Sequence, residues 1–385
     1  MNPNSENIYL DYAATTPLDP EVAETMIGFY RDETAFGNAS SIHSFGRSAR
    51  AVLDDSRDVV ASLIGADYSE LYFTGSGTEA DNLALTGTMQ TAPKGRNQLI
   101  TTAIEHHAVL HTALFLEKQG FEVTILPVDS EGMIRLEDLE NALSERTVLV
   151  SIMHANNEIG TIQPIVEAAK MAKAVGAKFH TDAVQTVGLM NVAVEESGCD
   201  LLSLCAHKIY GPKGAGALYI RSGTKVSPLI HGGTQEREKR AGTENVPALA
   251  GFGKAAQLTK ERREEDAIRL TELRDKFIQA LMARIPGLRL NGHPTLRLPN
   301  NINVSVEGVD GSTLLMGLDR KGVAASSGSA CSSGSIEPSH VLKAIGLPDR
   351  LASSGIRFSL GRKTTLEEIE KATEVFGEIV ARLRR

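Results

Sequence analysis

The chain has 385 residues, of which 42% are hydrophobic and 23% charged, enough for a sizeable core and for two domains. Lys plus Arg is 40 and Asp plus Glu is 48, a formal net charge of −8; that mildly acidic balance, with no long basic run, gives no reason to expect a nucleic-acid surface. Three cysteines (Cys199, Cys205, Cys331), none in a C-x-x-C pair, exclude a disulfide framework and fit a reducing compartment with a reactive thiol. The opening MNPNSENIYLD lacks the basic and apolar regions of a signal peptide, and no apolar run approaches the roughly 18 residues of a membrane helix. A cytoplasmic protein is expected.

The predicted elements alternate along the chain. Leu71–Thr74 reads as a short strand that ends in the turn Gly75-Ser76-Gly77-Thr78, followed by a helix with apolar Leu83, Leu85 and Met89. Gln98–Thr102 is the next strand, and a helical pattern over 109–118 stops at Gly120. Further strands are expected over 121–128, 148–153, 178–181, 201–205 and 216–220, with a helix over 165–175 closed by Gly176. Strands alternating with helices predict a mostly parallel sheet with helices on both faces. After about Gly253 a charged helical pattern runs over 254–284, then shorter elements near 302–306, 312–321 and 356–360. A last helix starts at the capping-box signature Thr365-x-x-Glu368. The expected organisation is a large α/β domain and a smaller C-terminal α+β domain, divided near residue 255. The run over 324–335, AASSGSACSSGS, is too small and polar to pack and is expected to be a mobile loop.

Gly75-Ser76-Gly77-Thr78-Glu79-Ala80 fits G-x-G-x-x-A between a strand and a helix, where backbone approaches phosphate and a helix N-terminus offers N–H groups. A nicotinamide site also wants an acid about 20 residues on; around 97–102 there is none, so the turn reads as a phosphate cradle or as a plain strand-to-helix turn. His106-His107 with His111 matches no metal-ligand spacing and reads by itself as a histidine pair. Asp182 and Gln185 lie at a strand's carboxyl end, where α/β sheets place ligands. Lys208, in Ala206-His207-Lys208-Ile209-Tyr210-Gly211-Pro212-Lys213-Gly214, is either a surface lysine or a Schiff-base lysine on a rigid turn. Pyridoxal 5'-phosphate chemistry needs an amine, an acid for the ring nitrogen, a phosphate cradle, a stacking group and a carboxylate-binding arginine. Lys208, Asp182, Gly77-Thr78, His106 and Arg357 form such a set in this order.

With those residues in place, the sequence resembles a fold-type-I pyridoxal-phosphate enzyme, and more narrowly a cysteine desulfurase of the NifS/IscS group. The resemblance runs over nearly the whole chain, through YLDYAATT (9–16), GNASSIH (37–43), TEADN (78–82), EH (105–106), HANNEIG (154–160), DAVQ (182–185), HKIYGPKG (207–214), RAGTEN (240–245) and SSGSAC (326–331). It implies a mostly parallel seven-stranded sheet flanked by helices in a large domain over 16–255. It also implies a small domain over 256–385 carrying the catalytic loop (about 324–337), with residues 1–15 packing on the small domain.

The resemblance also implies roles. The lysine matching Lys208 links the cofactor, the match to Asp182 keeps the ring nitrogen protonated, and the match to His106 stacks on the ring and moves protons. Gln185 is implied to bond the phenolic oxygen, with Asn157 near that oxygen and the substrate. Gly77, Thr78 and His207 are implied to hold the phosphate, joined by Thr243 from the second subunit of a homodimer. Arg357 is implied to clamp the substrate carboxylate. Where the family usually has Ser, this chain has Cys205; a thiol is a weak donor, so the phosphate loses one hydrogen bond or gains a water. The Ser/Gly loop around Cys331 resembles the branch that passes sulfur to partners, and the R-x-G-H-H-C loop of the other branch is absent. Of the three thiols, Cys205 ends an apolar strand and Cys199 follows a turn glycine, whereas Cys331 has the reach a nucleophile needs.

The implied activity is conversion of L-cysteine to L-alanine, with the sulfur carried as a Cys331 persulfide to an iron–sulfur scaffold or another acceptor. No resident metal is implied, Cys331 being at most a transient iron–sulfur ligand. Alternatives on the same pattern are a selenocysteine lyase, a C–S lyase or an aminotransferase, or a non-catalytic sulfur carrier.

Overall fold

The structure is a computed structural model that describes residues 7–31, 36–327 and 338–384; Cys331 lies outside the described residues. Strand β1 (Ile8–Tyr9) opens the chain. β2 (Leu71–Thr74), β3 (Gln98–Thr102), β4 (Glu122–Leu126), β5 (Thr147–Ser151), β6 (Lys178–Asp182), β7 (Leu201–Cys205) and β8 (Gly216–Ile220) form one sheet in the order β2-β8-β7-β6-β5-β3-β4. Every neighbouring pair is parallel except the two made by β8, so the expected mostly parallel seven-stranded sheet is present. Its inner strands β3, β5 and β7 are buried at every position, as apolar runs covered on both faces must be. Side chains alternate between faces. Leu202 and Leu204 enter one core beside Val60 and Phe252. Leu201 and Leu218 enter the other, against Leu83 of the helix Gly77–Met89 and Val109 of the helix His107–Lys118.

Beyond this sheet, β9 (Leu288–Asn291), β10 (Asn301–Val306), β11 (Val323–Ala324) and β12 (Ile356–Ser359) complete the strands. β12-β10-β9 form an antiparallel sheet, and β1 pairs in parallel with β11. Ile8 and Leu10 thereby join a separate core with Phe277, Phe358 and Phe376.

The charged helix expected to start at Lys254 starts at Val246 and runs unbroken to Arg284. Asn245 caps it by accepting from Ala248 N at 3.3 Å, and Pro247 sits in the first turn, where its missing N–H costs nothing. Its residues up to Leu258 pack in the large-sheet core and those from Leu270 in the second core. No helix of the described residues is long and apolar enough to cross a membrane.

Candidate active site

The carboxyl ends of β6 and β7, the turn after β2 and the loops after β3 and β5 meet at one edge of the large sheet. Ser76 caps the helix Gly77–Met89, its Oγ accepting from Glu79 N at 3.0 Å while its carbonyl accepts from Ala80 N. These bonds leave the Gly77 and Thr78 N–H groups for a ligand, at the positive end of the helix. A Cβ on Gly77 would lie 2.9 Å from Val184 Cγ2 and 3.7 Å from Cys205 Cβ, so only glycine allows that close approach. Glu79 braces the turn, accepting from Gly75 N at 2.8 Å and pairing with Arg240 at 2.9 Å.

Lys208 follows β7 on a single tight turn. Tyr210 takes φ 65 and Gly211 N donates to Ala206 O at 2.9 Å; a Cβ on Gly211 would meet Ala206 O at 2.8 Å. The Lys208 Nζ donates to the Ala13 and Ala14 carbonyls, and burial lowers its pKa. His207 Nδ1 lies 3.2 Å from Thr15 Oγ1, and burial holds its pKa at about 4. Asp182 ends β6, accepts from Val184 N at 2.9 Å, and is raised by burial to about 6. Gln185 Nε2 donates to Ala13 O at 3.0 Å. His106 caps the helix His107–Lys118, its Nδ1 accepting from Ala108 N at 3.1 Å; burial brings its pKa down to about 4, so it is neutral at pH 7.

Arg357, in β12, reaches across from the smaller sheet. Its Nη2 pairs with Asp11 at 2.8 Å and its Nη1 donates to Asn157 O at 3.0 Å. Two of its five N–H donors are so used, and its buried Nε has no hydrogen-bond partner among the described residues.

The candidate residues line one cavity of about 390 Å³. It gathers Gly77, Thr78, His106, Asn157, Asp182, Gln185, Cys205, His207, Lys208 and Arg357. Thr243 is not among them: it is exposed, in a neighbouring cleft with Gly75, Arg240 and Asn245. The other two thiols are poor nucleophiles. Burial raises Cys199 to about 11 and Cys205 to about 12. Sequence reasoning missed Asp81, the Ala13 and Ala14 carbonyls and Asp11. Asp81 carried a signal, standing four residues after Gly77 and three after Thr78 on one helix face. The carbonyls carried none.

The lining fits pyridoxal 5'-phosphate. A glycine-containing turn with unused N–H groups at Gly77 and Thr78 would suit a phosphate, the buried Asp182 would suit a ring nitrogen, and the desolvated Lys208 amine would suit an aldehyde. Comparison with known proteins agrees with the chemistry. The Aminotransferase class-V family matches residues 8–372. "Cysteine desulfurase IscS" of Dictyoglomus turgidum is 54% identical over 377 residues, 98% of this chain and 95% of that protein. "Cysteine desulfurase IscS" of Methanosarcina thermophila is 50% identical over 386 residues, 100% of this chain and 95% of its own. Among solved structures, a "NifS-like protein" superposes with a TM-score of 0.91 at 39% identity, covering 97% of this chain and 99% of the other. "SspA in complex with cysteine" does so with 0.81 at 35%, covering 92% and 98%. The chain belongs to the class-V aminotransferase family and, within it, to the pyridoxal-phosphate-dependent cysteine desulfurases.

Proposed function

We propose that this site converts L-cysteine to L-alanine and loads the sulfur onto Cys331 as a persulfide. The observation that carries the reading is the convergence of Lys208, Asp182, His106 and Arg357, from four separate segments, on one cavity. In this reading Gly77, Thr78 and His207 hold the phosphate, with Cys205 a weak further donor and Thr243 arriving from a second subunit. Asp182 would hold the ring nitrogen's proton, Gln185 and Asn157 would bond the phenolic oxygen, and His106 would stack on the ring. Bound pyridoxal phosphate supplies a sink for the electrons left when the substrate α-carbon loses its proton.

Lys208 anchors the cofactor and, when freed, takes that α-proton; its lowered pKa suits a base. Arg357 clamps the substrate carboxylate with donors that Asp11 and Asn157 leave unused. The Cys331 thiolate attacks the substrate sulfur, so that an S–S bond forms and the substrate Cβ–S bond breaks. The β-carbon gains one proton in exchange and the α-carbon regains the one Lys208 took, giving alanine, with His106 neutral beside the site. The persulfide then passes to an acceptor protein, an iron–sulfur scaffold or a thiolation partner. A cytoplasmic homodimer with domains over 16–255 and 256–385 completes the proposal; the two cores that share the helix Val246–Arg284 support that division.

The test is single-turnover alanine formation with mass spectrometry of the protein. Cys331→Ser is expected to bind cofactor and cysteine yet form neither alanine nor persulfide at the wild-type rate. Normal alanine yield in that variant, or a persulfide mapped to Cys199 or Cys205, overturns the reading.

A further inference from the structure

Beside Asp182 lies a second carboxyl that the proposed chemistry leaves unused. Asp81 shares a helix face with Gly77 and Thr78 and lines the same cavity. It is 1% exposed, and its Oδ1 has no hydrogen-bond partner among the described residues. The groups facing it are Asp182 and His180 from β6, Ser203 and Cys205 from β7, and Glu105 from the loop after β3.

None of these supplies a counter-charge. His180 comes nearest, its Nε2 3.7 Å from Asp81 Oδ1. Its ring, however, is clamped between Ser151 Oγ at 2.8 Å and Ser203 Oγ at 3.0 Å, and burial drives its pKa to about 3. The contact therefore joins a neutral imidazole to a carboxyl. Two carboxyls enclosed in one cavity do not both ionise unless each has a cation to offset it, and the Lys208 ammonium of this cavity acts on Asp182. Their surroundings differ. Asp182 accepts the Val184 N–H and has the Lys208 ammonium lowering its pKa. Among the described residues Asp81 has the Ser203 hydroxyl to oppose burial and the Asp182 and Glu105 charges, which together raise it well above the carboxylate range.

We propose that Asp81 is a positioning residue that keeps the one proton of the Asp81–Asp182 pair, so that the pair meets the cofactor ring with a single negative charge borne by Asp182. This rests on reading Asp182 as the ring-nitrogen partner. One anion then opposes one ring cation, and the buried site is spared a second, uncompensated charge.

Infrared difference spectroscopy of the cofactor-free protein with 13C-labelled aspartate reads the proton directly, and the label separates Asp81 from Glu105. At pH 7 the expected result is a protonated-carboxyl band worth one aspartate that is lost in Asp81→Asn and kept in Asp182→Asn. A band kept in Asp81→Asn and lost in Asp182→Asn, or no such band in the wild type, overturns the proposal. Asp81→Ser, smaller and still polar, gives the same reading if the amide variant does not fold. In loaded enzyme, the pH titration of the visible absorbance should lose one proton step in Asp81→Asn; an unchanged titration also counts against the proposal. An unchanged visible spectrum in loaded Asp182→Asn overturns the ring-nitrogen reading instead, and the infrared result stands apart from it.

Discussion

Cys205 ends β7 with its side chain 1% exposed, and its Sγ would lie 4.0 Å from a Cβ placed on Gly77. It thus stands at the Gly77 end of the cavity, the end proposed for the phosphate, with burial holding it as a neutral thiol, its pKa raised to about 12. A hydroxyl in that position is the stronger donor. One added hydrogen bond is worth about 0.5–1.5 kcal/mol net, so Cys205→Ser should lower the pyridoxal phosphate dissociation constant about two- to tenfold by equilibrium titration. Desulfuration should persist, since the thiol is not the nucleophile. Cys199 is equally unsuited to attack, being 0% exposed with Ser197 Oγ 3.2 Å from its sulfur.

At the scale of elements, the site depends on how closely the first turn of the helix Gly77–Met89 approaches the segment after β6. Gly77→Ala puts a methyl 2.9 Å from Val184 Cγ2, and relieving it shifts the helix start or the valine. Overpacking of this kind costs about 1–3 kcal/mol; falling on the bound state, that cost lowers cofactor retention about five- to 150-fold, with helical circular dichroism unchanged.

A second device braces the neighbouring loop. Glu236, Arg237 and Glu238 all take positive φ, at 47, 51 and 64, a conformation costing L-residues roughly 1–2 kcal/mol each. The buried Arg57 holds Glu236 with two bonds of 2.5 and 2.6 Å, and Phe73 N donates to the same carboxylate at 2.8 Å. Arg57→Met leaves that carboxylate without its cation and should destabilise the protein by about 3–5 kcal/mol in chemical denaturation. Adding Glu236→Gln should recover part of the loss.

For the whole molecule, the buried titratable groups set the pH dependence of stability. Glu105, 0% exposed, is raised by burial from 4.5 to about 8. The native state therefore keeps a proton that the unfolded chain gives up. Its contribution is fully present below pH 4.5 and is lost as pH rises toward 8. His180 acts in the opposite sense: its pKa of about 3 against 6.5 means the unfolded chain takes up a proton that the native state refuses, and stability falls as pH drops below 6.5. Glu105→Gln should remove one proton's slope, about 1.4 kcal/mol per pH unit, between pH 4.5 and 8. The check is unfolding free energy of the cofactor-free protein against pH; a slope equal to the wild type's rejects the assignment.

Local features were legible in the amino-acid sequence. The apolar runs of β2, β3 and β7 are strands, and Thr365 and Glu368 make both halves of their capping box. The glycine turn before the helix Gly77–Met89 carried its own signal, because a positive helix end and a missing Cβ need only neighbouring residues. The start of the helix Val246–Arg284 was missed for the converse reason. Gly253 looked like a boundary, yet it is where helices touch, and a Cβ on it would lie 2.9 Å from Ser56 Cα. The network behind Asp182 was equally hidden, since His180, Ser151 and Ser203 meet only across paired strands. Arg357 finds Asp11 across 346 residues of sequence. Spacing along the chain determined which local turns and caps form and which residue types are available for the chemistry. Which buried groups share one cavity, and hence which proton each of them keeps, was decided by tertiary packing, because desolvation and like-charge proximity do not exist until distant segments meet.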